Sequence, residues 1–244
     1  MTKLFISDLH LHQARPEVTG LFQKFTDELL TYSKPNTELY ILGDLFEYWI
    51  GDDYEDPLYS EITDQLKNLT KSGIKIYFMH GNRDFLIGKD FLSKTGIELL
   101  KEPTIFSYKN NRIMLSHGDT FCIDDVEYQA FRKVVRSQEW QRNFLNFPID
   151  KRLEILNEAR DASIQSQQMK SNDIMDVNKS EVATVIQQNN IDVLIHGHTH
   201  RPYSHKIDVD RKQSVRLVLG DWSVSTAKIV EWINAEPKLI DLIN

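Results

Sequence analysis

Glu38-Leu39-Tyr40-Ile41-Leu42-Gly43-Asp44 is the stretch on which the fold turns. An apolar run this short, containing an aromatic and a β-branched residue and ending on Gly-Asp, reads as a buried strand that stops at a turn bearing a carboxylate. The pattern recurs along the chain. Lys3–Ser7 runs into Asp8-Leu9-His10, Ile74–Met79 into Gly81-Asn82-Arg83-Asp84, Arg112–Ser116 into His117-Gly118-Asp119, and Ile191–Ile195 into Gly197-His198-Thr199-His200. Further strands are expected at Thr104–Tyr108, Ser204–Val209, Val215–Leu219 and Ala227–Trp232, and helices at Glu17–Tyr32, Leu58–Lys71, Lys89–Lys94 and Lys179–Asn189. Strands alternating with helices define an α/β, layered α+β fold, here a two-layered sheet core flanked by helices.

Residues 124–173 interrupt the alternation. They are helical in period, with Phe131, Val134, Val135, Phe144, Leu145 and Phe147 as an apolar face, and turn Ser- and Gln-rich toward the end. The chain is therefore divided into a core of residues 1–123 and 174–244 and an inserted helical cap, 124–173. The cap is expected to be separable from the core chemistry. Between Arg132 and Arg152 it carries six basic residues (Arg132, Lys133, Arg136, Arg142, Lys151, Arg152) against Glu139 and Asp150. Such an amphipathic surface with a basic rim suits a membrane interface.

The whole chain is acidic, with a net charge of -7 over 244 residues, which excludes broad charge-driven binding of nucleic acid. Composition, 41% hydrophobic and 27% charged, permits one full core. The N-terminus enters strand-like sequence directly, and no apolar run approaches a membrane span. A cytoplasmic location with at most peripheral membrane contact is expected. Cys122, the single cysteine, reads as a small buried hydrophobe.

In layered α/β folds the loops beyond the strand ends converge on one edge, so the five clusters can form one site. Their side chains are two carboxylates, one carboxamide and four imidazoles, without a thiolate, a set suited to Mn²⁺, Fe²⁺, Zn²⁺ or Mg²⁺. Seven donors are too many for one tetrahedral ion but suit a pair of ions about 3.5–4 Å apart sharing a carboxylate, for which Asp44 is the natural bridge. Asp8/His10 and His198/His200, spaced two apart, are expected to project to the same side of extended backbone. Asp84 and Asp119 are expected to orient the ligating imidazoles. His80 and His196 read as packed supporting residues, and Phe46 and Trp49 as either core or groove wall.

Asp8-x-His10, Gly43-Asp44, Gly81-Asn82-Arg83-Asp84, His117 and Gly197-His198-x-His200 together resemble the calcineurin-like metallophosphoesterase superfamily. The resemblance implies a dinuclear centre, with Mn²⁺ the first candidate. Asp8, His10, Asp44 and His200 would hold one ion, and Asp44, Asn82, His117 and His198 the other. Many members place His where this chain has Arg83. A pyrophosphate, whose leaving group is already a phosphate, does not need that acid, and Arg83 offers a permanent two-pronged charge instead.

Gly43–Asp53, His117–Thr120, Asp124-Asp125, Tyr128-Gln129 and Ile174–Asn178 further resemble the branch of that superfamily that cleaves UDP-2,3-diacylglucosamine in lipid A biosynthesis. That resemblance implies attack of a metal-activated water on the α-phosphorus, releasing UMP and 2,3-diacylglucosamine 1-phosphate. Asp44, Asn82, Arg83 and His198 would be catalytic. Asp125, Ser163, Gln167 and Lys170 of the cap would grip the substrate, with Asn82, Arg83 and His198 reaching it from the core. It implies a lipid-linked substrate, peripheral contact with the cytoplasmic face of the inner membrane, and no obligate protein partner. Another calcineurin-like phosphodiesterase or phosphatase is the alternative, and a metal-free binding module a second.

Overall fold

The computed structural model describes residues 2–32, 36–169, 174, 176–209, 212–233 and 235–243; the side chains of 164 and 166–169 lie outside that description. In chain order the elements are β1 (Thr2–Ile6), α1 (Pro16–Tyr32), β2 (Thr37–Ile41), α2 (Pro57–Lys71), β3 (Lys75–Met79), α3 (Lys89–Thr95), β4 (Glu98–Leu100), β5 (Thr104–Tyr108) and β6 (Asn111–Leu115). There follow α4 (Val126–Val135), α5 (Gln138–Leu145), α6 (Ile149–Met169), α7 (Lys179–Gln188), β7 (Val193–His196), β8 (Tyr203–Val209), β9 (Lys212–Val218), β10 (Lys228–Trp232) and β11 (Lys238–Asp241). The strands form two sheets, ordered β11-β10-β1-β2-β3-β4 and β5-β6-β7-β9-β8. β1 to β4 run parallel, as do β6, β7 and β9.

Alternation along the strands builds the layers. Phe5, Tyr40, Leu42 and Met79 of the first sheet pack with Ile113, Leu115, Ile195 and Leu217 of the second. Their neighbours Leu4, Ile6, Leu39, Ile41, Ile76 and Phe78 turn the other way, onto Val18 and Phe22 of α1, Ile62 and Leu66 of α2 and Phe91 of α3. Met114 and Leu194 pack with Val182 and Ile186 of α7 on the far side. The result is a helix/sheet/sheet/helix sandwich. Each wholly buried ring, such as Phe5, Phe22 and Phe78, contributes about 1.5–3 kcal/mol by leaving water.

The expected strands and helices are present with ends displaced by up to three residues, the largest shift being at β9, which begins at Lys212 rather than Val215, while β4 and β11 were not expected. Both are short pieces at the edge of the first sheet, without a wholly buried face to give them a period. Phe46 and Trp49 resolve to core: Phe46 is fully buried, Trp49 stacks on Tyr59 at 4.9 Å, and its Nε1 donates to Asp52. Cys122 is buried, which pushes its thiol up to about 12.

Residues 126–169 form α4, α5 and α6, and here two expectations are corrected. The apolar residues do not share one free face: Val135 and Phe144 are buried, while Phe131, Val134 and Phe147 remain exposed. The basic residues do not all rim a surface. Arg132 donates to Asp119 (2.7 Å), Arg136 to the Gly81 carbonyl (2.8 Å), and buried Arg152 to the Ile50 carbonyl and both Asp53 oxygens. The guanidinium groups reach into the core because the loops beneath them expose carboxylates and carbonyls that helix α4 and the start of α6 overlie. The cap is thus fastened onto the loops that carry the site.

Candidate metal centre

The parallel strands end at one edge, and the loops after β1, β2, β3, β6 and β7 meet there. Asp8, His10, Asp44, His198 and His200 all have left-handed backbone, with φ of 56°, 50°, 53°, 69° and 55°. The extended backbone expected for the Asp-x-His and His-x-His pairs is therefore absent, and each strained residue costs about 1–3 kcal/mol. Cross-loop bonds hold the strain: the Asp8 N–H donates to Gly43 O (3.1 Å), the His10 N–H to Asp44 O (3.0 Å) and the Gly197 N–H to His117 O (2.8 Å). A Cβ on Gly81 would lie 2.1 Å from Asp44 Oδ1, and one on Gly197 2.2 Å from Asp8 Oδ2. Only glycine leaves room there for the carboxylates.

The side chains converge in two groups. His10 Nε2 and His200 Nε2 are 3.2 Å apart, and His200 Nε2 lies 3.5 Å from Asp8 Oδ1. On the other side, Asn82 Oδ1 is 2.9 Å from both His117 Nε2 and His198 Nδ1. Asp44 Oδ2 stands between them, 3.8 Å from His10 Nε2 and 3.8 Å from His117 Nε2. Donor atoms of Asp8, His10 and His200, and again of Asp8, Asp44 and His117, lie within 4.8 Å of one another. All seven residues named as metal ligands from the sequence are brought together.

The electrostatics favour a cation. Burial alone would raise the Asp8 carboxyl, but contact with His200 and the charges of His117 and His10 hold it well below the usual carboxylate range. Burial opposes a charge on His117, yet Asp44, Asp119, Asp8 and Glu102 raise it to about 9. His198, desolvated and beside His117, is lowered to about 4. Nearby carboxylates that retain a proton on a buried imidazole would also retain a metal ion, so the donor set fits a pair of divalent ions.

Two orienting roles differ from expectation. Asp84 is fully buried and accepts the backbone N–H groups of Leu45 (2.8 Å), Gly81 (2.9 Å) and Asp44 (3.3 Å), so it fixes loops rather than an imidazole. Burial and the charge of Asp44 raise it to about 7. Asp119 accepts from Tyr128 Oη (2.8 Å) and Arg132. The imidazoles are addressed by other groups: His117 Nδ1 is 2.8 Å from the Leu42 carbonyl, and His10 Nδ1 lies 3.0 Å from Glu47 Oε2 in a contact off the ideal hydrogen-bond line. Glu47, held down to about 2 against burial by His10, Arg83 and Arg160, was missed in the sequence. So was Glu102, whose Oε1 accepts the His117 N–H at 2.7 Å. His80 and His196 are supporting residues, bonded to the carbonyls of Ile87 and Gly197.

Arg83 is anchored by its N–H on Asp44 Oδ1 (2.8 Å), while its side-chain Nε is buried without a partner. Asp125 caps α4, accepting the Tyr128 N–H at 3.0 Å, and Tyr128 stacks over His198 with ring centres 5.8 Å apart. Ser163 is half-buried on α6. The Gln167 side chain and Lys170 lie outside the described residues.

A strained loop edge that gathers two carboxylates, a carboxamide and four imidazoles suits the metal centre of a metallophosphoesterase, and sequence comparison agrees on the class. The chain belongs to the calcineurin-like phosphoesterase family, whose model matches residues 1–202. Among its relatives are proteins named UDP-2,3-diacylglucosamine hydrolase. That of Vibrio parahaemolyticus is 46% identical over 91% of this chain and 90% of its own. That of Aromatoleum aromaticum is 42% identical over 97% and 95%, and that of Haemophilus influenzae 44% identical over 93% of each.

Proposed function

We propose that this chain hydrolyses the pyrophosphate bond of UDP-2,3-diacylglucosamine, releasing UMP and 2,3-diacylglucosamine 1-phosphate, in lipid A biosynthesis. The observation that carries the reading is Arg83 at the site edge, its N–H on the proposed bridging carboxylate Asp44 and its buried Nε unpartnered. The names of the relatives support the substrate.

Asp8, His10, Asp44 and His200 would hold one divalent ion, and Asp44, Asn82, His117 and His198 the second, with Mn²⁺ the first candidate. When bound, such a pair supplies a water acidic enough to attack phosphorus at neutral pH and offsets charge on the phosphoryl oxygens. The chain's own residues do the rest. Arg83 presents a fixed positive fork to the pyrophosphate, and because the departing group is a phosphate no side chain need donate a proton to it. Asn82 and His198 would stand beside the same oxygens. The cap, 124–173, would seat the acylated sugar, with Asp125, Ser163, Gln167 and Lys170 as its polar contacts and the exposed Phe131, Val134 and Phe147 toward acyl chains or lipid. Among the described residues no helix is long and apolar enough to cross a membrane, and we infer peripheral contact with the cytoplasmic face of the inner membrane.

Purified protein assayed with UDP-2,3-diacylglucosamine, a cyclic nucleotide and an aryl phosphodiester tests the reading. Turnover of the UDP-lipid that is lost on chelation, restored by Mn²⁺ and abolished by Asp44→Ala is expected. Turnover of the cyclic nucleotide with none of the UDP-lipid would assign the chain to another activity of the family.

A further inference from the structure

The two metal groups have a feature in common that reaches outside them. On one side Arg160, from α6 of the cap, lies 3.0 Å from Glu47 Oε1, whose other oxygen is 3.0 Å from His10 Nδ1. On the other, Arg132, from α4, lies 3.1 Å from Glu102 Oε2, whose other oxygen accepts the His117 N–H at 2.7 Å. Each arm therefore runs arginine, glutamate, histidine, from a cap helix to a different metal group. Each carboxylate divides its oxygens, one toward the arginine and the other toward the histidine, and Glu102 Oε1 also accepts from the Ser116 hydroxyl at 2.7 Å. Both are largely buried, with side-chain exposures of 18% for Glu47 and 12% for Glu102, so water screens the contacts weakly.

We propose that Glu47 and Glu102 are positioning residues that couple seating of the cap to loading of the metal centre, Arg160 and Arg132 being the cap ends of the two arms. This rests on the dinuclear reading of the site but not on the identity of the substrate. The physical basis is the orientation of the ligands. A carboxylate beside Nδ1 of His10 favours the tautomer that leaves Nε2, which faces His200, without a proton and able to ligate. Glu102 acts on the backbone of His117 and fixes where its ring emerges. An arginine gripping the far oxygen of each carboxylate restricts its rotation, and that grip exists only when the cap helix is docked. Coupling of this kind is reciprocal: if the docked cap tightens the metal site, metal must tighten the cap by the same factor. A metal centre assembled fully only beneath a closed cap would bind substrate and complete its active geometry together.

The test uses the full-length protein and two readouts independent of turnover: Mn²⁺ affinity and stoichiometry by titration calorimetry, and amide exchange of residues 126–169 with and without Mn²⁺. In the wild-type protein Mn²⁺ should slow exchange in α4 and in the part of α6 around Arg160. Glu47→Gln and Glu102→Gln should each weaken one of two Mn²⁺ sites by about 10- to 100-fold, as loss of a ligand-orienting group does. Arg160→Ala and Arg132→Ala should weaken the same sites less and erase the Mn²⁺-dependent protection, while Arg160→Lys and Arg132→Lys restore part of it. Arg132 also pairs with Asp119, so Arg160→Ala, whose ion pair is with Glu47, is the cleaner variant should Arg132→Ala fold poorly. Wild-type Mn²⁺ affinity in both glutamine variants, or cap exchange indifferent to Mn²⁺, would overturn the coupling. Failure of the wild-type protein to bind two Mn²⁺ would instead remove the dinuclear reading beneath it.

Discussion

Arg83 is the residue on which the chemistry divides. If its guanidinium offsets charge in the transition state of pyrophosphate cleavage, Arg83→Ala should lower kcat on the UDP-lipid by about 100-fold or more, in the range seen when such a donor is removed. Arg83→His should not recover that loss, but it should raise turnover of an aryl or alkyl phosphodiester, whose poorer leaving group benefits from a proton donor. Steady-state rates of both variants on both substrates check this, and no change on either would show that Arg83 stands apart from the reaction. The proposed ligands such as Asp44 and His117 were legible in the sequence because each sits in a Gly-flanked cluster at a strand end. Glu47 and Glu102 were not: a single carboxylate has no local signature, and their roles arise only when α6 and α4 fold over the loops. Nor could the left-handed backbone of Asp8, His10, Asp44, His198 and His200 be read, since tertiary hydrogen bonds impose it against local preference.

At the level of elements, β1, β2, β3, β6 and β7 were legible because buried strands carry dense apolar runs and end on the motifs themselves. β11 was not, and its attachment shows why: a polar anchor supplies what apolar periodicity does not. Asp241, at its end, accepts the N–H groups of Ala227 (2.9 Å) and Ile243 (3.2 Å) and the Thr226 hydroxyl (3.0 Å), and pairs with Lys228 at 3.1 Å. Burial opposes the charge, but these donors outweigh it and lower its pKa from 3.8 to about 2. A depressed carboxylate contributes stability that is fully present above its unfolded pKa and is lost as pH falls through the folded one. Asp241 should therefore contribute to acid unfolding between about pH 4 and pH 2. Asp241→Asn should flatten the fall in denaturation midpoint across that window. A slope equal to that of the wild type would show that β11 is held by its backbone ladder alone.

For the whole molecule, the cap is the part whose independence the sequence overstated. Its helical period was legible, but which residues of 124–173 face inward depends on the loops of the core. Arg132, Arg136, Arg152 and Arg160 fasten it to Asp119, the Gly81 carbonyl, the Ile50 carbonyl with Asp53, and Glu47. Removing it would strip Asp119 of its hydrogen bond from Tyr128 and its ion pair with Arg132, beside His117, and would open that part of the site to water. Replacing 124–173 by a short linker should thus depress turnover of a small chromogenic phosphodiester along with that of the diacylated UDP-sugar. Survival of the small-substrate activity would show that the metal centre stands without its cover.

Hydrolysis of UDP-2,3-diacylglucosamine by water directed at the α-phosphorus is tested most directly by the destination of the solvent oxygen. The purified, metal-replete protein is given the UDP-lipid in ¹⁸O-labelled water for a single turnover, and both products are weighed by mass spectrometry. One labelled oxygen should appear in UMP and none in 2,3-diacylglucosamine 1-phosphate. Label in the lipid phosphate would move the attack to the other phosphorus and contradict the placing of the nucleotide, and an intact substrate would contradict the proposed function itself.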